Sequence, residues 1–250
     1  MKKNILKSLM VAGAVLTVIG CGGGSTLTGE GDIPTTDVPT VSILPDNVQA
    51  AIDGPASTLD ENLTNTLSYM GNEERLAYDV YNALDEQYPT IKQFKNIATN
   101  GEYQHITAVQ ALIQKYKLSD DVNFTNIDLP ALGYMNTAIE DMKAGTYDIS
   151  VIQELYDNLV LQGSASEKEA LKVGCIIEVV DIIDLDHDIK LAEDANATDI
   201  VTVFNFLRNG SYNHYWAFDG ALKNLGSTEG CCPAALEILG GTVCPDYPKK

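Results

Sequence analysis

From about residue 56 onward, apolar residues recur at the three- and four-residue spacing of amphipathic helices, and no β-hairpin signal interrupts them. A first helix is expected to start at Thr58, with Glu61 completing a capping box, and to stop near Gln87 before Pro89. A second runs from Thr90 to about Lys117. It contains Asn100-Gly101, where glycine costs about 1 kcal/mol relative to alanine, so packing or a local distortion must be tolerated there. A long connection from Leu118 to Ala165 is expected to carry short helices around Leu132–Lys143 and Val151–Gln162. Ser166 with Glu169 announces a third main helix to about Ala192, and Thr198 is expected to cap a fourth reaching about Leu225. Two short connections and one long one imply an all-α fold: an antiparallel pair, a crossover, then a second pair.

The first twenty residues follow another pattern. Lys2, Lys3 and Lys7 precede an apolar stretch from Leu9 to Ile19, shorter than the roughly 20 residues of a membrane-spanning helix. It ends in Val18-Ile19-Gly20-Cys21, which resembles the lipobox of bacterial lipoproteins. That resemblance implies a signal peptide over 1–20, a lipid on Cys21, and a protein anchored in the bacterial cell envelope facing the periplasm or exterior. Gly22 gives no obvious inner-membrane retention signal, which leans the placement towards the outer membrane. Residues 21–55 are rich in Gly, Thr, Pro and Asp without a helical or strand period, and are expected to form a flexible linker. The folded domain is then 56–225, followed by a cysteine-containing tail over 226–250.

Charge narrows the range of partners. Removing the leader takes away three lysines and no acids, leaving 13 basic against 35 acidic residues, a formal charge of −22. Such a surface repels nucleic acid and anionic lipid, so no nucleic-acid partner is expected.

The candidate chemistry lies on the four helices. The second supplies Glu102-Tyr103-Gln104-His105, a Glu-x-x-His whose two side chains share one face. The first offers Glu74, with Ala77 and Tyr81 on the same face. The third offers Glu178 and Asp181 one turn apart, and the fourth Ser211-Tyr212-Asn213-His214. Helix lengths agree with convergence. Glu74 and Glu102 lie roughly 21 and 18 Å from their shared turn, and Glu178 and Ser211 roughly 21 and 20 Å from theirs. Carboxylates bridge hard cations and imidazole adds a neutral ligand, while several buried unpaired carboxylates are expensive. The expected ligand set is Glu74, Glu102, His105, Glu178, Asp181 and His214, holding two iron or manganese ions. Asp181 takes the place of the carboxylate that Ser211 lacks.

The spacing Glu74-x-x-Ala77-x-x-x-Tyr81 resembles the first helix of rubrerythrin-type ferritin-like proteins. Four stretches in order (Glu73 to Tyr81, Glu102 to His105, Gly174 to Ile182, Gly210 to His214) resemble more closely an uncharacterised ferritin-like family known only as a domain of unknown function. The resemblance implies a ferritin-like four-helix bundle and a metal site, and no established reaction. Three functional readings stay open. One is a di-iron oxidoreductase that oxidises Fe(II) or reduces peroxide or dioxygen, supplied with electrons by an external donor or by iron itself. The others are a metal-binding lipoprotein without turnover, and a structural or interaction module on a ferritin-like scaffold.

Tyr81, Trp216 and Phe218 are assigned to the core, with a hydrogen bond to a ligand carboxylate or a redox role as the alternative for Tyr81. Asp184, Asp186 and Asp188 with His187 read as a solvated helix end. Cys175 reads as a small buried residue. In an exported protein one of Cys231 and Cys232 pairs with Cys244, which leaves one thiol over.

Overall fold

The computed structural model describes residues 44–117 and 138–249; within them the chain is an all-α helical bundle, and no strand occurs among the described residues. The elements are α1 (Asp46–Asp53), α2 (Glu61–Gln87), and α3 (Lys92–Ile97), which continues through a π-helical turn (Ala98–Glu102) into α4 (Tyr103–Lys117). They are followed by α5 (Ser150–Gly163), α6 (Glu167–Asp194), α7 (Thr198–Asn224) and α8 (Cys232–Leu239). α2, the α3–α4 rod, α6 and α7 form the bundle, with α6 and α7 the most extensively packed pair.

Local chemistry sets most boundaries. The cap of α2 lies two residues later than expected, because Asp60 rather than Thr58 caps it, accepting 2.8 Å from the Leu63 amide. It stops at Tyr88, since Pro89 disfavours helical backbone in the residue before it. Ser166 caps α6 through the Glu169 amide, as its spacing implies. Thr198 opens α7 without capping it: Ala197 holds the cap position and no side chain serves it. Asn196 turns the chain between α6 and α7 at φ 56°, a conformation that asparagine tolerates better than most residues. α5 matches the helix expected around Val151–Gln162. For the helix expected at Leu132–Lys143, residues 132–137 lie outside the described residues. The described remainder holds only a short 3₁₀ turn, Ile139–Asp141.

Two expectations are corrected outright. Residues within 21–55 are not all linker: α1 packs against α4 and α7, burying Val48 and Ile52 one turn apart. Two apolar residues in a Pro- and Asp-rich stretch form too short a stripe to stand out from composition. Cys175 is buried, but not as a lone thiol: it is disulfide-bonded to Cys231, and Cys232 to Cys244. The expected bond to Cys244 is therefore present and the leftover thiol is not. The bridges tie the tail and α8 to α6, so residues after 225 belong to the folded body.

The interior is divided. One apolar cluster gathers Tyr81, Leu84, Phe94, Leu159, Val179 and Phe218; a second gathers Leu67, Met70, Leu112, Tyr116, Leu185 and Phe204. Each bundle helix crosses both clusters, and between them each contributes polar side chains.

Candidate metal centre

That polar belt holds Glu74 on α2, Glu102 at the end of the π-helical turn, His105 on α4, Glu178 on α6, and Ser211 and His214 on α7. All are buried, the three glutamates and His105 at 2% exposure each, which rules out solvent as their main partner. The Asn100-Gly101 irregularity resolves into the π-helical turn, where the Tyr103 amide reaches back to the Ala98 carbonyl. The widened turn carries the chain from the buried face of Ile97 to the buried face of Glu102, five residues on. π-turns are commonly found at functional sites, and here one delivers Glu102 and His105 to the interior together.

Glu102 is the centre of the arrangement. His105 Nδ1 lies 2.9 Å from Glu74 Oε2 and 3.1 Å from Glu102 Oε2. His214 Nδ1 lies 3.0 Å from Glu102 Oε1 and 3.4 Å from Glu178 Oε2. The two imidazoles face each other at 5.4 Å between ring centres. Two three-residue sets result, Glu74–Glu102–His105 and Glu102–Glu178–His214, each with ligand atoms within 4.8 Å of one another and with Glu102 common to both.

The protons in this cluster are displaced from their ordinary positions. Burial pushes the Glu74 carboxyl up to about 7 against the pull of His105. Burial also raises Glu178, with the Glu102 charge adding to it. Burial acts the same way on Glu102, but His214 and His105 outweigh it and hold that carboxyl below its usual range. Burial disfavours a charged His214, yet Glu178 and Glu102 raise it to about 10; His105 is raised by Glu74 and Glu102 in the same manner. A concentration of buried negative charge is thus offset by whatever cations its neighbours supply. The compensation is incomplete: Glu74 Oε1 is buried with no hydrogen-bond partner among the described residues, and His214 Nδ1, although 3.0 Å from Glu102 Oε1, is not aligned to hydrogen-bond with it. Three carboxylates and two imidazoles with orphaned donor atoms form an oxygen–nitrogen set suited to hard or borderline divalent cations.

Five of the six residues singled out by sequence make up the two three-residue sets. Asp181 lines the same cavity as Glu74, Glu102 and Glu178 but belongs to neither set. It accepts a 2.5 Å hydrogen bond from Ser211 Oγ, so the serine on α7 engages the acid instead of leaving a gap. Burial, Glu74 and Glu178 all raise the Asp181 carboxyl well above its normal range. Tyr81 occupies a core position, packed between Phe94 and Phe218, and also donates its hydroxyl to Glu178 Oε1 at 2.5 Å. The Asp184–Asp188 stretch departs from its expected solvated role: Asp184 and Asp188 are buried, while Asp186 and His187 face outward. Residues 181, 184/185, 188 and 192 follow the inward phase of α6, which counting acids does not reveal. Glu73, beside Glu74, was not singled out. It lines a cavity of about 40 Å³ (space open to the centres of water molecules) that also touches Glu74, Glu102, Glu178 and Asp181 and is walled by Leu155 and Leu159 of α5.

Residues 64–230 match the family model described as "Uncharacterized protein domain (DUF2202)". The chain is 36% identical over 173 residues to "Uncharacterized protein MJ0754" of Methanocaldococcus jannaschii, covering 69% of this chain and 82% of that protein. It is also similar to the crystal structure of hypothetical protein MJ0754 from Methanococcus jannaschii, with a TM-score of 0.56 and 32% identity over 76% of this chain and 98% of that one.

Proposed function

Because this chain belongs to the DUF2202 family, whose description names no activity, we propose from its own side chains that it is a ferritin-like protein with a two-metal carboxylate–histidine centre. One observation carries this reading: two buried three-residue sets share Glu102, and within them Glu74 Oε1 has no hydrogen-bond partner and His214 Nδ1 faces Glu102 and Glu178 without a well-aligned hydrogen bond to either. Glu74 and His105 would serve one ion, Glu178 and His214 the other, and Glu102 both. The four-helix arrangement with a long crossover supports the ferritin-like assignment. Iron or manganese suits the oxygen-rich donor set with one imidazole per position.

Bound iron would supply one-electron chemistry towards dioxygen or peroxide, making Fe(II) oxidation or peroxide reduction the candidate activity. The protein's part is positional. Tyr81 orients Glu178, the Ser211–Asp181 pair holds a protonatable group at the edge, and the two apolar clusters limit water on either side. The competing reading is a metal-free hydrogen-bonded core, which the short contacts of His105 with Glu74 and Glu102 favour. Metal analysis after reconstitution separates them. Two ions per chain in the native protein and a loss in His105→Ala are expected, whereas sub-stoichiometric metal in both would defeat the proposal. Stopped-flow mixing of Fe(II) protein with oxygen or peroxide then distinguishes turnover, seen as fast oxidation, from binding without reaction.

For the cellular setting we propose, from the lipobox-like Val18-Ile19-Gly20-Cys21, a chain anchored by lipidated Cys21 and facing outward from a bacterial membrane. The four cysteines among the described residues are paired in two disulfides, and such bonds persist mainly in oxidising compartments. Radiolabelled palmitate incorporation that survives in the native chain and is lost in Cys21→Ala is the expected result; equal labelling of both would reject the anchor.

A further inference from the structure

The segments bearing the two histidines repeat one pattern. Asn100-Gly101-Glu102-Tyr103-Gln104-His105 and Asn209-Gly210-Ser211-Tyr212-Asn213-His214 share Asn-Gly-x-Tyr-x-His. The glycine in each stands four residues before the histidine, one helical turn away. Its partner in space, however, is on the other segment. A methyl group added at Gly101 would meet Nε2 and Cε1 of His214, and one added at Gly210 would meet Nε2 and Cε1 of His105, both closer than atoms can approach. Each imidazole therefore rests its Nε2 edge in a notch that glycine leaves in the opposing helix, and turns Nδ1 towards the carboxylates.

We propose that Gly101 and Gly210 are crossed positioning residues: Gly101 sets the ring of His214 and so the Glu102–Glu178–His214 position, while Gly210 sets the ring of His105 and so the Glu74–Glu102–His105 position. The reason is steric. An imidazole on a helix has two soft torsions, and only a wall behind the ring fixes which nitrogen reaches the carboxylates. The glycine Cα supplies that wall at the distance where Nδ1 stands 2.9–3.4 Å from its glutamate oxygens, and a Cβ would displace it. Neither glycine has positive φ, so backbone conformation does not demand glycine at either place. Alanine there would ordinarily strengthen the helix. The identification of Nδ1 as the ligating atom rests on the metal reading above; the crossed steric relation does not.

Two measurements test it. The first needs no metal: thermal unfolding of Gly101→Ala in the native, His214→Ala and His105→Ala backgrounds. The melting temperature is expected to fall in the native and His105→Ala backgrounds and to rise in His214→Ala, where the obstructing ring is gone. Gly210→Ala should show the mirror result, rescued only by His105→Ala. If Gly101→Ala does not fold alone, recovery of folding in Gly101→Ala/His214→Ala is the same result in stronger form. A rise in every background, or a fall in every background, overturns the proposal.

The second measurement is metal content with anomalous scattering. Gly101→Ala is expected to drop from two ions to one, retained beside His105, and Gly210→Ala to retain the one beside His214. Loss of the ion on the substituted glycine's own segment, or retention of two ions in both variants, overturns the crossed assignment. A native protein that takes up no metal refutes the metal reading, and the unfolding series then decides the notches by itself.

Discussion

Two buried ionic clusters lie about 20 Å apart along α7, and they are built on opposite principles. Near the start of α7, the Asp199 carboxylate accepts from Ser57 Oγ at 2.7 Å, Lys115 Nζ at 2.7 Å and the Tyr116 hydroxyl at 2.6 Å. One acid meets one ammonium, both oxygens are engaged, and the Lys115 ammonium also reaches the Ala51 carbonyl to hold α1 in place. About four turns further along α7, His214 enters the other cluster, where three glutamates share two imidazoles and two polar atoms are left over. Both are buried, so burial does not distinguish a structural ion pair from a functional one. Saturation does: the first cluster is complete within the protein, and the second becomes complete only with something added.

The sharpest way to break this contrast is to remove the shared glutamate. Glu102→Ala should abolish both metal positions, so that metal at about a thousandfold over Kd, worth about 4 kcal/mol to the native protein, gives the variant no protection in denaturant titrations. At the closed cluster the expectation is the reverse. Asp199→Asn should destabilise the protein by about 3 kcal/mol with or without metal, because it leaves the Lys115 charge buried without its counter-ion. A metal-dependent loss there would erase the distinction between the clusters.

The closed cluster also carries a pH signature. Burial acts to raise the Asp199 carboxyl, but hydrogen bonds from Lys115, Tyr116 and Ser57 prevail and hold it below the ordinary aspartate range. A carboxyl lowered in the folded state stabilises above its unfolded value of about 3.9 and loses that contribution as pH falls through the folded value. The gap in unfolding free energy between native protein and Asp199→Asn should therefore be flat above about pH 5 and shrink below about pH 4. The smallest effect is expected at Tyr81→Phe, which keeps the ring between Phe94 and Phe218 and removes only the hydrogen bond to Glu178. Metal affinity at the Glu178 position should weaken about 10–100-fold, read by competitive titration, with little change in the metal-free melting temperature.

Much of the fold was legible because helix periodicity and its punctuation are local. Ser166, Pro89 and the apolar phase of the four long helices mark elements that the structure contains. Caps were less secure where two candidates lay within a turn: Asp60 displaced Thr58, and Ala197 left Thr198 without a capping role. The site residues were legible for a similar reason, since Glu102 and His105 share a face by spacing and the helix lengths place Glu74 level with Glu102 and Glu178 level with Ser211. For Asp181, spacing says only that its side chain leaves α6 on the face of Glu178; the hydrogen bond from Ser211, which sets its carboxylate beside the two three-residue sets, has no local signature.

The sequence by itself determined that this chain folds into long helices and that acids and imidazoles leave those helices towards a common interior. Both are properties of residue type and a period of 3.6. Tertiary structure alone decided that Glu102 lies between both histidines, that Cys175 finds Cys231 across 56 residues, and that each histidine rests against the glycine of the opposing helix. Those outcomes depend on the distance and rotation between helices, which are set by the packing of side chains far apart in the chain and have no local signature.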